Sequence, residues 1–486
     1  MRDVQRRLAL AAILASCCIA PAWAPGAAPT EALLELANRC EANQGGLVGL
    51  SVVDLRSRQV LAALRDEELF APASNQKLVT AAFALARIGA DFQFTTAVYQ
   101  LGQDLVVIGN GDPTLGDPFL ARQNGTSIYD ELDRWAMQVR QRIGQVVAGD
   151  LILCTRWDNE LYRPPDWPVA QRRQWYQAPV AALNFNNNCL DVSFVRAQAG
   201  LEPLVEPASR LITVVNQTRS GRKGLWNAVL SDQDATVTLT GAVAGPTAEP
   251  ANVAVDDPPM LLGRVLADRL ARAGVELKGS VRAAAAPQLN WSGAVELART
   301  QTPLSAALGR ALKRSLNMAA ESVFLYAGDG TWPGTASLVG PTLASAYGLK
   351  SEEVVAVDGS GLSPTNRISP RAMTTLLAGM AQRPDRQIVL SSMAISGVDG
   401  TMERRLDEPP YKGRILGKTG YIAGVSCLSG YVLDAAGRPA AAFAVLVNRC
   451  RGSAQAKTLQ DNLCRRLVDW LDGNQKTESR ESESGE

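Results

Sequence analysis

The chain has 486 residues, and its 49 basic and 48 acidic side chains leave a net charge of +1, which excludes the basic surface of a nucleic-acid-binding protein. Hydrophobic residues make up 46% and charged residues 20%, as in globular proteins, and the length suggests about two to four domains. The sequence contains no histidine, which excludes Ser-His-Asp and Cys-His catalysis and His-containing zinc sites.

Residues 1–24 have the pattern of an export signal. Basic residues precede the apolar run Leu8 to Ser16, which is too short to span a bilayer as a mature helix. The residues up to Cys17 also resemble a bacterial lipobox, in which Cys17 is lipidated after cleavage; the alternative is a plain signal peptide. We therefore expect a protein of the periplasm or cell envelope, attached to a membrane only through a lipid on Cys17.

The next segment predicts a helix, a strand pair and a second helix. Thr30 to Asn43 carries apolar residues at helical spacing, and Gly46 to Val60 reads as strands joined by polar turns. Lys77 to Gly89 has a helical pattern that ends at a glycine, with Ser74 at its start. Ser74 and Lys77 should therefore lie one turn apart on one helical face.

Short strands, turn clusters and proline-rich loops replace this pattern from about Phe92 to Asn290, which indicates an inserted region. Within it, Leu105 to Leu115 predicts a strand that runs into a turn, and Met260 to Gly274 predicts an amphipathic helix. We assign residues 93–290 to the insertion, as two mostly β subdomains: 93–182 with 251–290, and 183–250.

Long helical patterns return from Pro303 onward. They are followed by predicted strands at Arg414 to Leu433 and Pro439 to Asn448, and by a closing helix near Ala454 to Leu471. Residues 472–486 have no apolar anchor, so we expect this tail to be disordered.

Six of the eight cysteines lie outside the predicted signal. An even number in an exported chain permits disulfides, whereas buried free thiols fit the sequence equally well. Their spacing matches no C-x-x-C metal pattern. They are Cys40, Cys154, Cys189, Cys427, Cys450 and Cys464.

Three short motifs occur in a fixed order. Ser74 to Lys77 matches S-x-x-K, in which an amine one turn from a serine can take its hydroxyl proton, provided that burial or a nearby cation lowers the lysine pKa. Ser315 to Asn317 matches S-x-N, and Lys418 to Gly420 matches K-T-G at the start of a predicted strand. Each motif alone is common in unrelated chains, but the ordered set in an exported chain without histidine points to one active site.

With these motifs the chain resembles the penicillin-recognising serine enzymes, and more narrowly the class C low-molecular-mass penicillin-binding proteins of the D-alanyl-D-alanine carboxypeptidase/endopeptidase family. Ser74 and Ser315 are 241 positions apart (315 minus 74), which resembles the large insertion of that family. The resemblance extends from about Thr30 to Leu471. Further matching stretches are Gly109 to Leu115, Asp358 to Asn366, Gly397 to Met402, Gly424 to Tyr431 and Ser315 to Glu321.

The resemblance implies an α/β fold in which residues 30–92 and 291–471 form a transpeptidase/β-lactamase-like domain, an antiparallel sheet covered by helices. It also implies hydrolysis of peptidoglycan stem peptides and cross-links, acylation by β-lactams, and no cofactor or metal. The sequence does not indicate an oligomeric state.

Residue by residue, the resemblance implies that Ser74 is the nucleophile and Lys77 its base. Ser315 would relay a proton to the leaving amine. The substrate would be held by Asn317, Lys418 and the hydroxyl of Thr419, and Gly420 completes the third motif. The backbone N–H groups of Ser74 and Tyr421 would form the oxyanion hole.

Two positions depart from the family pattern. Tyr421 stands where a Thr or Ser usually follows K-T-G, so a small hydroxyl near the substrate carboxylate is missing. Cys154 and Thr155 stand where relatives often carry an acidic residue before Thr or Ser, so the preference for the substrate side chain cannot be transferred.

Two other features are better explained by structure than by function. The turn from Asp358 to Gly361 is typical of tight turns. An aromatic cluster in the insertion favours domain packing over a ligand groove, and it consists of Trp157, Tyr162, Trp167, Trp175 and Tyr176.

Two alternatives share the fold. A serine β-lactamase needs rapid deacylation, and no Glu-x-x-x-Asn segment that would provide its base stands out before Lys418. A catalytically weak cell-wall-binding scaffold would lose site residues, whereas every motif residue is present here.

Overall fold

The computed structural model describes residues 29–43, 45–155, 162–198, 200–222, 224–231 and 235–483. The predicted signal, residues 1–24 with Cys17, and Trp157 of the aromatic cluster lie outside the described residues. Within the described part of the chain, no helix is both long and apolar enough to cross a bilayer.

The described helices and strands alternate along the chain. The α-helices are Thr30–Ala42, Gln76–Arg87, Pro118–Asn124, Asp130–Ile143, Pro258–Arg272, Leu304–Leu312, Asn317–Ala327, Trp332–Tyr347, Pro370–Gln382, Gln387–Leu390 and Ala454–Glu483. The strands are β1 Leu47–Asp54, β2 Val60–Leu64, β3 Gln93–Leu101, β4 Asp104–Gly109, β5 Val146–Val147, β6 Leu151–Thr155, β7 Cys189–Ala197, β8 Gly200–Glu206, β9 Thr213–Ser220, β10 Leu225–Ser231, β11 Thr236–Val243, β12 Ala251–Ala254, β13 Glu276–Leu277, β14 Val281–Ala285, β15 Val295–Pro303, β16 Val354–Val355, β17 Arg367–Ile368, β18 Ala394–Ile395, β19 Ile415–Ile422, β20 Val425–Leu433 and β21 Pro439–Asn448.

A six-stranded antiparallel sheet in the order β18-β19-β20-β21-β1-β2 forms the centre of the first domain. Strands β20 and β21 are almost continuously apolar because both faces of the sheet are covered. Tyr431 and Leu446 enter the core on one face, and Val432 and Val445 enter the core on the other. This arrangement of a helix-covered antiparallel sheet confirms the predicted fold class.

The two faces of this sheet carry different helices. Leu33 of Thr30–Ala42 packs in one core with Leu463 of the last helix. The opposite core holds Phe83 of Gln76–Arg87 and Phe324 of Asn317–Ala327, whose ring centroids are 6.1 Å apart. The helices that begin at the S-x-x-K and S-x-N motifs are therefore packed against each other.

A five-stranded mixed sheet in the order β14-β6-β4-β3-β15 organises the insertion. Helices Asp130–Ile143 and Pro258–Arg272 contribute Trp135 and Leu266 to its core. Strand β15 pairs antiparallel with β3, so Val295–Pro303 belongs to the inserted sheet. The boundary that we predicted at residue 291 is therefore too early, because strand pairing keeps the chain in the insertion up to Pro303.

Two three-stranded sheets form the rest of the insertion, in the orders β12-β7-β8 and β10-β11-β9. Strand β12 pairs antiparallel with β7. The predicted subdomain boundary at residue 250 is therefore wrong, because it separates β12 from its partner strand. The sequence of a short strand does not indicate which strand it pairs with.

The last helix is longer than we predicted. Its backbone continues from Leu471 to Glu483, so most of the tail that we expected to be disordered is helical. Lys, Glu, Gln and Arg are frequent in this segment, and these residues extend a helix readily once packing has formed its first turns.

All six described cysteines carry free thiols. Of the two alternatives left open by the sequence, the structure therefore shows free thiols and not disulfides. Burial raises the pKa of Cys40 and Cys154 to about 11, and it also raises the pKa of Cys189, Cys427 and Cys464. Such thiols remain protonated at neutral pH and pack as small apolar groups.

Candidate active site

The S-x-x-K motif lies at the start of a buried helix. Ser74 is half-buried in the single 3-10 turn Ala73–Asn75, and the helix Gln76–Arg87 follows at once. The Nζ of Lys77, in the first helical turn, is 2.9 Å from the Oγ of Ser74. The predicted juxtaposition of these two side chains is therefore present in the structure.

Lys77 is 1% exposed and lies in a cage of acceptors. Besides Ser74, its Nζ donates to Asn317 Oδ1 at 2.7 Å and to the carbonyl oxygen of Ser360 at 2.8 Å. Burial lowers the pKa of Lys77 to about 7, although the Asp358 and Glu321 carboxylates act in the opposite direction. A substantial fraction of this amine is thus neutral near pH 7 and able to accept a proton.

The S-x-N motif forms the turn between helices Leu304–Leu312 and Asn317–Ala327. Ser315 has a φ of 60°, a left-handed conformation that costs energy for a residue with a side chain. Asn317 begins the second helix, and its Nδ2 donates to the carbonyl oxygen of Tyr176 at 2.8 Å. The insertion therefore supplies one wall of the site through the backbone of Tyr176.

The K-T-G motif lies on strand β19. Lys418 is fully buried, and its Nζ donates to Ser315 Oγ at 2.8 Å and to the carbonyl oxygen of Thr419 at 2.8 Å. Burial and the neighbouring Lys77 lower the pKa of Lys418 well below its usual value. The second and third motifs thus meet through a hydrogen bond between Lys418 and Ser315.

Gly420 allows strand β19 to approach the turn Ala73–Asn75, which contains Ser74. A Cβ at this position would lie 2.8 Å from the carbonyl oxygen of Pro72 and 3.1 Å from Asn75 Nδ2. Only glycine leaves room for this approach. Thr419 is half-buried, and Tyr421 is 66% exposed. Side chains alternate along a strand, so Thr419 and Tyr421 share the face opposite Lys418 and Gly420.

Asn75 joins the first motif to the sheet, a role that the sequence did not indicate. Its buried amide donates from Nδ2 to the carbonyl oxygen of Lys418 at 2.7 Å and accepts from Ser429 Oγ at 2.6 Å. Asn75 is a variable position of S-x-x-K, and no spacing rule distinguishes it from a solvent-exposed asparagine.

Asp358 anchors the loop that faces Lys77. Its buried carboxylate accepts from the backbone N–H groups of Gly361 and Ser363, each at 2.7 Å, and from Trp167 Nε1 at 2.9 Å. The structural interpretation of this turn is therefore correct, and the same loop supplies the Ser360 carbonyl oxygen that accepts from Lys77.

Glu321 is a second buried carboxylate that the sequence reasoning missed. It is fully buried within Asn317–Ala327, four residues after Asn317, and faces the same loop as Asp358. Two sequence signals could have identified it: its charge inside a largely apolar helical stretch, and its position at the end of the family-like stretch Ser315 to Glu321.

The structure therefore brings together Ser74, Lys77, Ser315, Asn317 and Lys418 through direct hydrogen bonds, with Gly420 packed against the same turn. Thr419 and Tyr421 follow on the same strand. In the aromatic cluster, Trp167 is buried against Asp358, which agrees with packing.

Comparison with known proteins identifies the family of the chain. The sequence profile of the D-Ala-D-Ala carboxypeptidase 3 (S13) family matches residues 30–469. The chain is 31% identical over 459 residues to a D-alanyl-D-alanine carboxypeptidase of Actinomadura sp. (strain R39), across 88% of this chain and 82% of that protein. It is 27% identical over 439 residues to the D-alanyl-D-alanine carboxypeptidase DacB of Haemophilus influenzae, across 85% of this chain and 88% of that protein.

A solved structure shows the same fold. Penicillin binding protein 4 (dacB) from Haemophilus influenzae matches with a TM-score of 0.74 at 23% identity, covering 90% of this chain and 99% of that one. The family resemblance that the three motifs indicated is confirmed, and the chain belongs to the S13 family of D-Ala-D-Ala carboxypeptidases.

Proposed function

We propose that this carboxypeptidase removes the terminal D-alanine of peptidoglycan stem peptides, and cleaves peptide cross-links, through an acyl-enzyme on Ser74. One observation carries the proposal: the Nζ of Lys77 lies 2.9 Å from Ser74 Oγ in a site that lowers the lysine pKa to about 7. A serine hydroxyl is a weak nucleophile, and a neighbouring neutral amine activates it.

In the first step, Ser74 Oγ attacks the carbonyl carbon of the penultimate D-alanine while Lys77 Nζ takes the hydroxyl proton. The carbonyl π electrons move to oxygen, and the backbone N–H groups of Ser74 and Tyr421 stabilise the resulting oxyanion. Such fixed donors contribute strongly because they need no reorganisation during the reaction.

In the second step, the bond between carbon and the leaving nitrogen breaks. Ser315 donates its hydroxyl proton to the leaving amine and is reprotonated by Lys418, the buried amine that contacts it, and the proton that Lys77 took from Ser74 replaces the one that Lys418 gives up. The hydrogen bond of 2.8 Å between Lys418 Nζ and Ser315 Oγ supports this relay. The products are free D-alanine and an ester on Ser74.

Substrate binding would use the polar groups that remain around the nucleophile. Asn317 holds Lys77 and faces the acyl side of the peptide, while Lys418 and the Thr419 hydroxyl bind the terminal carboxylate. Burial and Lys77 lower the pKa of Lys418, and the carboxylate of a bound substrate would raise it again, because an anion beside a buried amine favours the protonated form.

Water then attacks the ester carbon while Lys77 takes one of its protons, the bond between that carbon and Ser74 Oγ breaks, and Oγ takes the proton from Lys77 as the shortened peptide leaves. A β-lactam would follow the same first steps, except that its leaving nitrogen stays tethered to the acyl group. We therefore expect penicillin to form a long-lived adduct on Ser74.

We further infer that the protein acts in the periplasm or cell envelope. The basic and apolar pattern of residues 1–24 supports export, and Cys17 in its lipobox-like context supports a lipid anchor. Intact-mass analysis of membrane and soluble fractions checks this inference, since a lipid on Cys17 adds mass and places the protein in the membrane fraction.

The first experiment follows penicillin acylation and D-alanine release with purified wild type and Ser74→Ala. Fluorescent penicillin reports acylation, intact mass locates and counts the adduct, and a stem pentapeptide and a cross-linked dimer report hydrolysis. Ser337→Ala, an exposed helical serine, is the matched control. We expect a persistent adduct and D-alanine release in wild type and Ser337→Ala, and neither in Ser74→Ala. A stable wild type without adduct would contradict the proposal, and rapid release of the adduct would indicate a β-lactamase.

A further inference from the structure

Glu321 lies outside the three motifs and is fully buried. Its Oε2 accepts from the backbone N–H of Gly359 and from Trp332 Nε1, both at 2.9 Å, and its Oε1 accepts from the backbone N–H of Ser360 at 2.8 Å. A buried carboxylate with three donors has a specific structural task, because its desolvation is costly.

That task concerns the peptide segment beside the catalytic lysine. The two amides held by Glu321 belong to consecutive residues, Gly359 and Ser360, and the Ser360 carbonyl oxygen accepts from Lys77 Nζ at 2.8 Å. The hydroxyl of Thr80 holds the same segment from the other side, by donating to the Gly359 carbonyl oxygen at 2.6 Å. A shift at these amides would therefore move an acceptor of Lys77.

We propose that Glu321 is a positioning residue for catalysis, which aligns the Ser360 carbonyl with Lys77 and holds the amine at Ser74. This inference rests on the proposed role of Lys77 as the base. Glu321 acts through the backbone of residues 359–360. The residues that contact the reacting atoms are Lys77 and Ser74.

A carboxyl group fits the donors that surround Glu321, because both of its oxygens accept hydrogen bonds. A glutamine in its place would direct an N–H₂ group at backbone or indole N–H groups, which cannot accept hydrogen bonds. Burial and the nearby Asp358 carboxylate raise the pKa of Glu321 to about 8, and its three hydrogen bonds act in the opposite direction. The carboxyl group is therefore largely protonated at neutral pH, and its hydrogen bonds hold the segment without a full charge.

Glu321 also contributes to the charge balance at Lys77. The carboxylates of Glu321 and Asp358 favour the protonated amine, whereas burial disfavours it. Lys418 faces the same space as a further buried amine, and its own pKa is lowered by Lys77. Because the pKa of Glu321 is raised to about 8, its carboxyl group is largely protonated at acidic pH, and its charge acts on Lys77 only in the alkaline part of the profile.

The test measures acylation by fluorescent penicillin from pH 5 to 9 in wild type, Glu321→Gln and Glu353→Gln. Glu353 is a matched control: it is buried in the same domain and accepts hydrogen bonds from Lys350 and Ser369, but it lies outside the Lys77 cage. We expect Glu321→Gln to lower the maximal rate by about 10- to 100-fold because the amine is misplaced. We also expect this loss to fall on the limiting rate at saturating penicillin, with the half-saturating concentration within about twofold of wild type, because the substrate-binding groups stay in place.

A Glu321→Gln enzyme with the wild-type limiting rate would overturn the inference, as would an equal effect of Glu353→Gln. Absence of any wild-type adduct would contradict the proposed function instead, so the two failures are distinguishable.

A second variant, Glu321→Asp, tests the inference in case the Glu321→Gln protein does not fold. Glu321→Asp keeps the carboxyl group but withdraws it by one methylene group. We expect it to acylate more slowly than wild type with the acidic part of its pH–rate profile unmoved. A wild-type rate in Glu321→Asp would overturn the positioning role.

Discussion

Lys77 Nζ donates a hydrogen bond to Asn317 Oδ1 across 2.7 Å, although the two residues are 240 positions apart in the chain. Each lies in the first turn of a buried helix, and the two helices pack together in one core. The contact therefore places the proposed base beside the side chain that we propose faces the substrate, so a charge introduced at position 317 would act directly on Lys77.

Asn317→Asp should raise the pKa of Lys77. The substituted side chain keeps an acceptor for Nζ but adds a negative charge, which favours the protonated amine. We expect the acidic part of the pH–rate profile for acylation by penicillin to move to higher pH by about one unit. At neutral pH the rate should fall about tenfold.

Asn317→Ala provides the comparison, since it removes the same amide without adding charge. Its acylation should be slower than that of wild type, with no upward movement of the acidic part of the profile. Identical pH profiles for Asn317→Asp and Asn317→Ala would show that charge at this position does not reach Lys77.

The wild-type acylation rate should depend on the protonation of Lys77. Because its pKa is lowered to about 7, the neutral fraction rises about tenfold per pH unit below that value and levels above it. The rate constant should follow this curve, as measured by stopped-flow fluorescence. A flat profile between pH 5 and 7 would contradict the assignment of Lys77 as base.

Lys77→Arg should lose about 10²- to 10⁴-fold in acylation rate, because a guanidinium stays protonated at every working pH and cannot act as base. Lys278→Arg is a matched control at an exposed position that pairs with Glu276, and it should keep the wild-type rate. Equal rates for the two variants would exclude proton transfer to Lys77.

Gly361→Ala should destabilise the fold and slow acylation. Gly361 has a φ of 82°, and a Cβ there would lie 1.8 Å from the Ala73 carbonyl oxygen, directly before the nucleophile. We expect a loss of about 2–4 kcal/mol in the free energy of unfolding, from left-handed strain together with overpacking.

Gly348→Ala separates these two causes. Gly348 has a φ of 74°, but its Cβ would meet nothing within 4 Å. It should lose only about 1–2 kcal/mol from the backbone strain and keep the wild-type acylation rate. Urea unfolding of both variants gives the comparison, and equal losses would show that the approach to Ala73 is unimportant.

Tyr421→Thr should improve peptide hydrolysis. Tyr421 is exposed at the end of the K-T-G strand, where a small hydroxyl would lie near the substrate carboxylate. We expect kcat/KM for D-alanine release to rise about tenfold, the value of one hydrogen bond to a charged group. Tyr421→Val shortens the side chain equally without a hydroxyl, so the same gain in both variants would assign the effect to bulk alone.

Local features of this protein could be predicted from the sequence. Ser74 and Lys77 are three residues apart at the start of a helix, so their contact follows from helical geometry alone. The sheet strands β20 and β21 were also predictable, because their long segments consist mostly of apolar residues. The absence of histidine by itself restricted the possible catalytic chemistry.

Strand pairing and burial decided what the sequence left open. The assignment of Val295–Pro303 and Ala251–Ala254 depended on partner strands elsewhere in the chain, and a strand pattern carries no information about its partner. Asn75 and Glu321 look like ordinary polar residues in the sequence. Their hydrogen bonds to the active-site segments depend on burial in the folded protein, because a buried polar group must find its partners within the protein.

The active site combines both kinds of information. The order of the motifs predicted which residues take part, since S-x-x-K and S-x-N lie where helices begin and K-T-G lies within strand β19. The tertiary structure alone decided that Lys418 reaches Ser315 and that Lys77 reaches Asn317 and Ser360. It also lowered the pKa of Lys77, because desolvation depends on the whole surrounding core and not on neighbours in the sequence.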